Sequence, residues 1–107
     1  MRITEADNGT NVIINKNDTF LIKLEENPTT GYRWSLDNPD FHTYFKVEYD
    51  NYICHSDDPA PGDGGTRIFT IIAIKDGETK IIANYRRPWT LATKPINTLK
   101  VSFLIQP

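Results

Sequence analysis

Thr19-Phe20-Leu21-Ile22-Lys23-Leu24-Glu25, Asn27-Pro28-Thr29-Thr30-Gly31 and Tyr32-Arg33-Trp34-Ser35-Leu36-Asp37 follow one another almost without a break, and the fold turns on them. In the first run Phe20, Ile22 and Leu24 share one face. In the last, Tyr32, Trp34 and Leu36 face inward while Arg33, Ser35 and Asp37 face water. Period two with β-branched and aromatic residues marks half-buried strands. Between the runs, Pro28 lacks an N–H and pushes Asn27 out of the helical region. Gly31 permits a positive φ and a sharp turn. Thr29 and Thr30 are stiff at χ1. A blunt, rigid, uncharged loop tip is expected between two strands.

Outward from this stretch the same grammar repeats. Upstream, residues 3–6 read as a short edge strand, and Asn11 to Ile14 as an apolar run closed by the turn cluster Asn15-Lys16-Asn17-Asp18. Downstream, Asn38-Pro39-Asp40 is a turn. Tyr44 to Ile53 reads as a strand with Phe45, Val47 and Tyr49 on one face, although alternation is weakest between Asp40 and Ile53. Cys54 to Gly65 is polar, and its prolines and glycines forbid a regular ladder. Thr66 to Ile74 is apolar enough that both faces look covered. Lys75-Asp76-Gly77-Glu78 has the Asp-Gly of a tight hairpin turn leading into Thr79 to Tyr85. Arg86 to Asn97 is a long loop with Pro88, Trp89 and Pro95. Thr98 to Ile105 closes the chain with Leu99, Val101, Phe103 and Ile105 inward. No helical period is visible. About seven or eight strands with frequent turns predict an all-β fold, an immunoglobulin-like antiparallel β-sandwich, with residues 1–107 as one domain.

Composition narrows the function. Hydrophobic content of 38% and charged content of 24% are ordinary for a globular protein. A net charge of −2 lacks the basic stripe that nucleic acid requires. The lone Cys54 permits no internal disulfide. No apolar stretch reaches membrane-spanning length, and Met1-Arg2-Ile3-Thr4-Glu5-Ala6-Asp7 has no apolar signal segment. The expectations are a cytoplasmic monomer with no cofactor, no metal and no nucleic-acid or membrane partner. A vesicular or secreted location is expected if Met1 is not the natural start.

Each strand of an antiparallel sandwich crosses the domain once, so its loops alternate between two ends. Loops 26–31, 54–65 and 86–97 therefore share one end, and the shorter turns take the other. Connections of about twelve residues exceed the usual length and point to function. Such an end is where antibody variable domains bind.

The loops at that end carry Asn27-Pro28-Thr29-Thr30-Gly31-Tyr32, Gly62-Asp63-Gly64-Gly65 and Arg87-Pro88-Trp89, in this order. Together they resemble the three signature loops of the chagasin-type inhibitors of papain-like cysteine peptidases, and the resemblance covers nearly the whole chain. It implies a reversible inhibitor rather than an enzyme. Thr29 would sit nearest the catalytic Cys–His pair. The glycine-rich loop would lie on the non-primed side of the cleft, and Trp89 would pack on an aromatic wall on the primed side. The residue chemistry agrees: glycines let two backbones approach, a desolvated Trp is a typical hot spot, and a rigid edge binds at low ordering cost.

Rival functions have thinner support. Cys54-His55 are neighbours on an extended chain and point to opposite faces, a poor nucleophile–base pair. Asp57, Asp58 and Asp63 lack the EF-hand spacing and read as a solvated loop. An immunoglobulin-like adhesion or carbohydrate-binding module would also expose an aromatic such as Trp89, but has no need of the other two motifs.

Overall fold

The inward run Phe20, Ile22, Leu24 continues by one more position, to Glu26, before the strand that holds it ends. The computed structural model describes residues 1–27, 30–54, 64–87 and 94–107. Its strands are β1 (Arg2–Ile3), β2 (Asn11–Asn15), β3 (Thr19–Glu26), β4 (Arg33–Leu36), β5 (Phe45–Cys54), β6 (Gly65–Ala73), β7 (Gly77–Arg86) and β8 (Asn97–Gln106). A 3-10 turn spans Glu5–Asp7, and a one-turn helix, α1, spans Phe41–Tyr44. Two four-stranded sheets form a sandwich, one ordered β1-β3-β6-β5 and the other β2-β8-β7-β4. β1 runs parallel to β3 and β2 to β8, while all other neighbours are antiparallel. This is the immunoglobulin-like sandwich that the alternation predicts.

The inner faces share one apolar cluster. Phe20, Ile22 and Leu24 of β3 meet Leu99, Val101, Phe103 and Ile105 of β8, all buried as their period requires. Phe20, Phe41, Phe45 and Phe103 form an aromatic knot with ring centroids 5.3–6.0 Å apart. Burying each such side chain fully is worth about 1.5–3 kcal/mol.

Four expectations need correction. Lys75 to Glu78 is not a hairpin turn, because β6 and β7 lie in different sheets. Both edges of β6 are already taken by β3 and β5, so the chain must cross the sandwich there. The beginning of the region read as strand from Tyr44 is α1, whose Phe41 is buried. The β5–β6 register shifts between Val47 and Tyr49, a β-bulge that reverses the parity of the rest of β5. Tyr49 is consequently 64% exposed rather than inward; Tyr52, opposite Arg67, is half-buried, and Asp50, opposite Phe69, stays exposed. Finally, residues 3–6 are mostly not strand: β1 ends at Ile3, where Thr4 caps the 3-10 turn. Smaller departures have similar local causes. Ile68 and Ile72 on the outer face of β6 are half-buried rather than covered. Asp37 is half-buried in an ion pair with Arg86 at 3.0 Å.

Candidate functional site

Strand register brings six chain ends to one pole. Glu26 pairs with Gly65, Gly65 with Cys54, Arg33 with Arg86 and Tyr85 with Asn97. The connections 27–32, 55–64 and 87–96 all leave from this pole. Two are hairpin connections, one in each sheet, and the first crosses between the sheets. α1, with exposed His42, lies at the opposite pole.

The first loop is tied down at both described ends. The Asn27 carbonyl accepts from Thr30 N at 3.2 Å and from Thr30 Oγ1 at 2.7 Å. Gly31 has φ 81°, the left-handed turn that its lack of a Cβ allows. Asn27 N donates to the Tyr85 hydroxyl at 3.0 Å, and Trp34 Nε1 donates to the Glu25 carbonyl at 2.7 Å. An aromatic column backs these bonds. Trp34 stacks on Tyr85 at 5.0 Å, Tyr85 meets Tyr32 at 5.6 Å, and the Arg87 guanidinium lies 4.7 Å over Tyr32. Arg87 Nε also donates to the Thr30 carbonyl at 3.4 Å, which links the first loop to the third.

The second loop is anchored differently. Glu26, 3% exposed, holds its carboxylate between the sheets. Oε1 accepts from Trp34 N at 2.8 Å, and Oε2 accepts from Arg67 Nε and Nη2, each at 3.0 Å. Arg67 Nη1 reaches Asp50 at 2.7 Å. Burial works against the charge on Arg67, but its bonds to Asp50 and Glu26 outweigh this and raise its pKa above the ordinary value. The Tyr52 hydroxyl donates to the Glu26 carbonyl at 3.3 Å. Burial, then the charges of Cys54 and Glu26, push the Tyr52 phenol up. Gly65 lies so close to the Ile53 carbonyl and the Tyr52 ring that a Cβ there would overlap both. Among the described residues, a Cβ on Gly64 would meet only the Glu26 carbonyl, at 3.8 Å.

Of the residues singled out from sequence, Asn27, Thr30, Gly31, Tyr32, Gly64, Gly65 and Arg87 gather at this pole. Pro28, Thr29, Gly62, Asp63, Pro88 and Trp89 lie outside the described residues, as do His55, Asp57 and Asp58. A shallow cleft opens among the loop bases, lined in part by Glu26, Asn27, Trp34, Gly64 and Tyr85. Among the described residues no group of three or more His, Cys, Asp or Glu could hold a metal. Sequence reasoning missed Glu26, Arg67 and Tyr85. The signal was parity: Glu26 continues Phe20-Ile22-Leu24, and Arg67 continues Phe69-Ile71-Ala73, so two opposite charges occupy inward positions on adjacent strands.

Residues 13–103 match the model of the chagasin family of peptidase inhibitors, I42. Amoebiasin-1 of Entamoeba histolytica is 39% identical over 106 residues, covering 95% of this chain and 98% of that protein. Chagasin of Trypanosoma cruzi is 31% identical over 94 residues, covering 83% of each. A crystal structure of the cysteine protease inhibitor EhICP2 from Entamoeba histolytica superposes with a TM-score of 0.84 at 29% identity, covering 98% of this chain and 94% of that one.

Proposed function

The chain belongs to the chagasin family of peptidase inhibitors, and on that footing we propose that it inhibits papain-like cysteine peptidases reversibly, with loops 26–31, 54–65 and 86–97 as its binding edge. It is an inhibitor, not an enzyme. The convergence at one pole of the six strand ends that flank the three motif-bearing connections supports the reading. A rigid edge loses little entropy on docking, and the first loop is braced by Tyr85, Trp34 and Arg87. In this reading Thr29 blocks the catalytic centre, offering no bond held in attack geometry. Gly64 allows close backbone approach along the non-primed side, and Trp89 anchors the primed side. The adhesion or carbohydrate-binding alternative has no comparable support from the family match.

A fluorogenic assay across peptidase classes tests this. Dose-dependent, reversible inhibition of papain-like enzymes with serine and metallo-peptidases spared is the expected result. No inhibition of any papain-like enzyme at micromolar protein would overturn it.

A further inference from the structure

The bulge in β5 has a consequence at the loop pole. With regular pairing, Tyr49, Asn51 and Ile53 would continue the inward face of Phe45 and Val47. The register shift instead puts Asp50 and Tyr52 on the side of Arg67, where the exposed Asp50 carboxylate accepts from Arg67 and the half-buried Tyr52 hydroxyl donates to the Glu26 carbonyl. Arg67 stands on β6 two residues after Gly65, where the glycine-rich loop ends. Glu26 is the last residue of β3, immediately before Asn27. Asp50 and Tyr52 stand on β5, just before the same glycine-rich loop begins. Through Glu26 Oε1 the chain of contacts also takes in the Trp34 amide of the opposite sheet. Four strands, β3, β4, β5 and β6, therefore meet on one buried carboxylate and one guanidinium.

We propose that Arg67, clamped between Glu26 and Asp50, is a positioning residue that holds the first and second inhibitory loops in fixed relation. The proposal rests on the inhibitory reading of those loops. A buried ion pair is weak as a source of stability, since its desolvation cost rivals its attraction, and apolar replacement of such pairs is often neutral or better. Geometry is what this pair supplies. Arginine offers a rigid, planar fork that addresses two carboxylates at once, a task a lysine ammonium performs poorly. Glu26 and Asp50 are on different strands, so the fork fixes the spacing of β3 and β5 across β6, and these are the strands from which the two loops leave. Arg67 has no need to touch the peptidase to do this.

The test separates position from stability. Arg67→Met alone strands a buried carboxylate, so the informative variant is Glu26→Gln with Arg67→Met. The introduced glutamine keeps an oxygen for the Trp34 amide. This double variant is expected to melt within a few degrees of the parent, yet to inhibit a papain-like enzyme about tenfold more weakly, equivalent to about 1.4 kcal/mol. Arg67→Lys should fold and lose several-fold in inhibition, because it keeps the charge and loses the fork. Amide hydrogen exchange on the free proteins should quicken at Asn27, Gly31, Trp34 and Gly65 in both variants and stay unchanged in β7 and β8. Parent-like inhibition by Arg67→Lys, a double variant whose inhibition falls only in step with its melting temperature, or unchanged exchange at the loop bases would each overturn the proposal. If the parent inhibits no papain-like enzyme, the functional reading fails by itself, and the exchange measurement still decides whether Arg67 fixes the loop bases.

Discussion

The two poles of this sandwich are closed by different means. At the pole away from the loops, short connections bond directly to strand backbone. Asn17 N donates to the Ala73 carbonyl and Ala73 N to the Asp18 carbonyl, at 2.8 and 3.0 Å. Asn38, buried, donates to the Lys80 carbonyl at 2.8 Å and accepts from Ile82 N at 3.1 Å. Beneath them sits the phenylalanine knot of Phe20, Phe41, Phe45 and Phe103. At the loop pole, side chains carry much of the closure: Glu26, Arg67 and Tyr85 join strand ends, and of the aromatics Trp34, Tyr85 and Tyr32 the first two bond backbone through their polar atoms. One pole maximises burial. The other buries a charged group, Glu26 with Arg67, which adds little stability but fixes geometry. Stability and recognition are thereby placed at opposite ends of one core.

If that division holds, substitutions at the two poles should separate folding from inhibition. Phe103→Ala at the far pole removes a large buried ring and should cost about 3–5 kcal/mol of stability. The fraction that remains folded should inhibit as the parent does, which denaturant titration and active-site titration together would show. At the loop pole the opposite pattern is expected. Trp89→Ala should weaken inhibition by about 2–4 kcal/mol, the range for a buried interface aromatic, with the melting temperature barely moved. Thr29→Arg should do comparable harm, and Thr29→Ala only about 1 kcal/mol. Should Trp89→Ala unfold the domain while the folded remainder inhibits fully, Trp89 belongs to the core and the contrast between poles collapses on the primed side.

The glycines sharpen the contrast within the loop pole itself. Gly65→Ala drives a Cβ into the Ile53 carbonyl and the Tyr52 ring, so it should lower stability by about 1–3 kcal/mol, as overpacking does. Gly64→Ala meets no close contact among the described residues. It should leave the melting temperature nearly unchanged and raise the inhibition constant. Of the two glycines, Gly64 is therefore the one whose substitution should harm inhibition more than stability.

The smallest effects concern pH. Side-chain hydrogen bonds from Asn38 and Thr79 hold the Asp40 carboxyl below its ordinary range. A lowered folded pKa gives stability that is present above the unfolded value, about 3.9, and is lost as pH falls through the folded one. Tyr52 has the opposite sign. Its raised pKa gives stability that is full below the unfolded value, about 10, and is lost as pH rises through the folded one. Acid should therefore weaken the Asp40 contacts with Asn38 and Thr79 at the far pole, and alkali the Tyr52 contact at the loop pole. Residue-resolved amide shifts across a pH titration would show whether the poles respond separately.

Much of this was legible in the chain. Alternation located β3, β4 and β8 because one face of each is buried, the apolar run 66–74 located β6, and three motif-bearing loops fell at one pole by counting crossings. The misreadings share a physical cause: they depend on partners far away in sequence. Asp-Gly at 76–77 fits a hairpin or a crossover equally, and only the occupied edges of β6 decide between them. The bulge beside Glu48 leaves no local mark beyond weakened alternation. Glu26 and Arg67 look like surface charges until the parity of their strands is carried to the end, where each makes sense only through the other.

Hydrogen exchange on the free protein and on its complex with a catalytically inactivated papain-like peptidase tests the assignment of the poles most directly. Slowed exchange confined to 26–32, 54–66 and 86–97, with 16–18, 37–44 and 74–77 unchanged, is the expected result. Protection centred on the far pole or on an outer sheet face would contradict it.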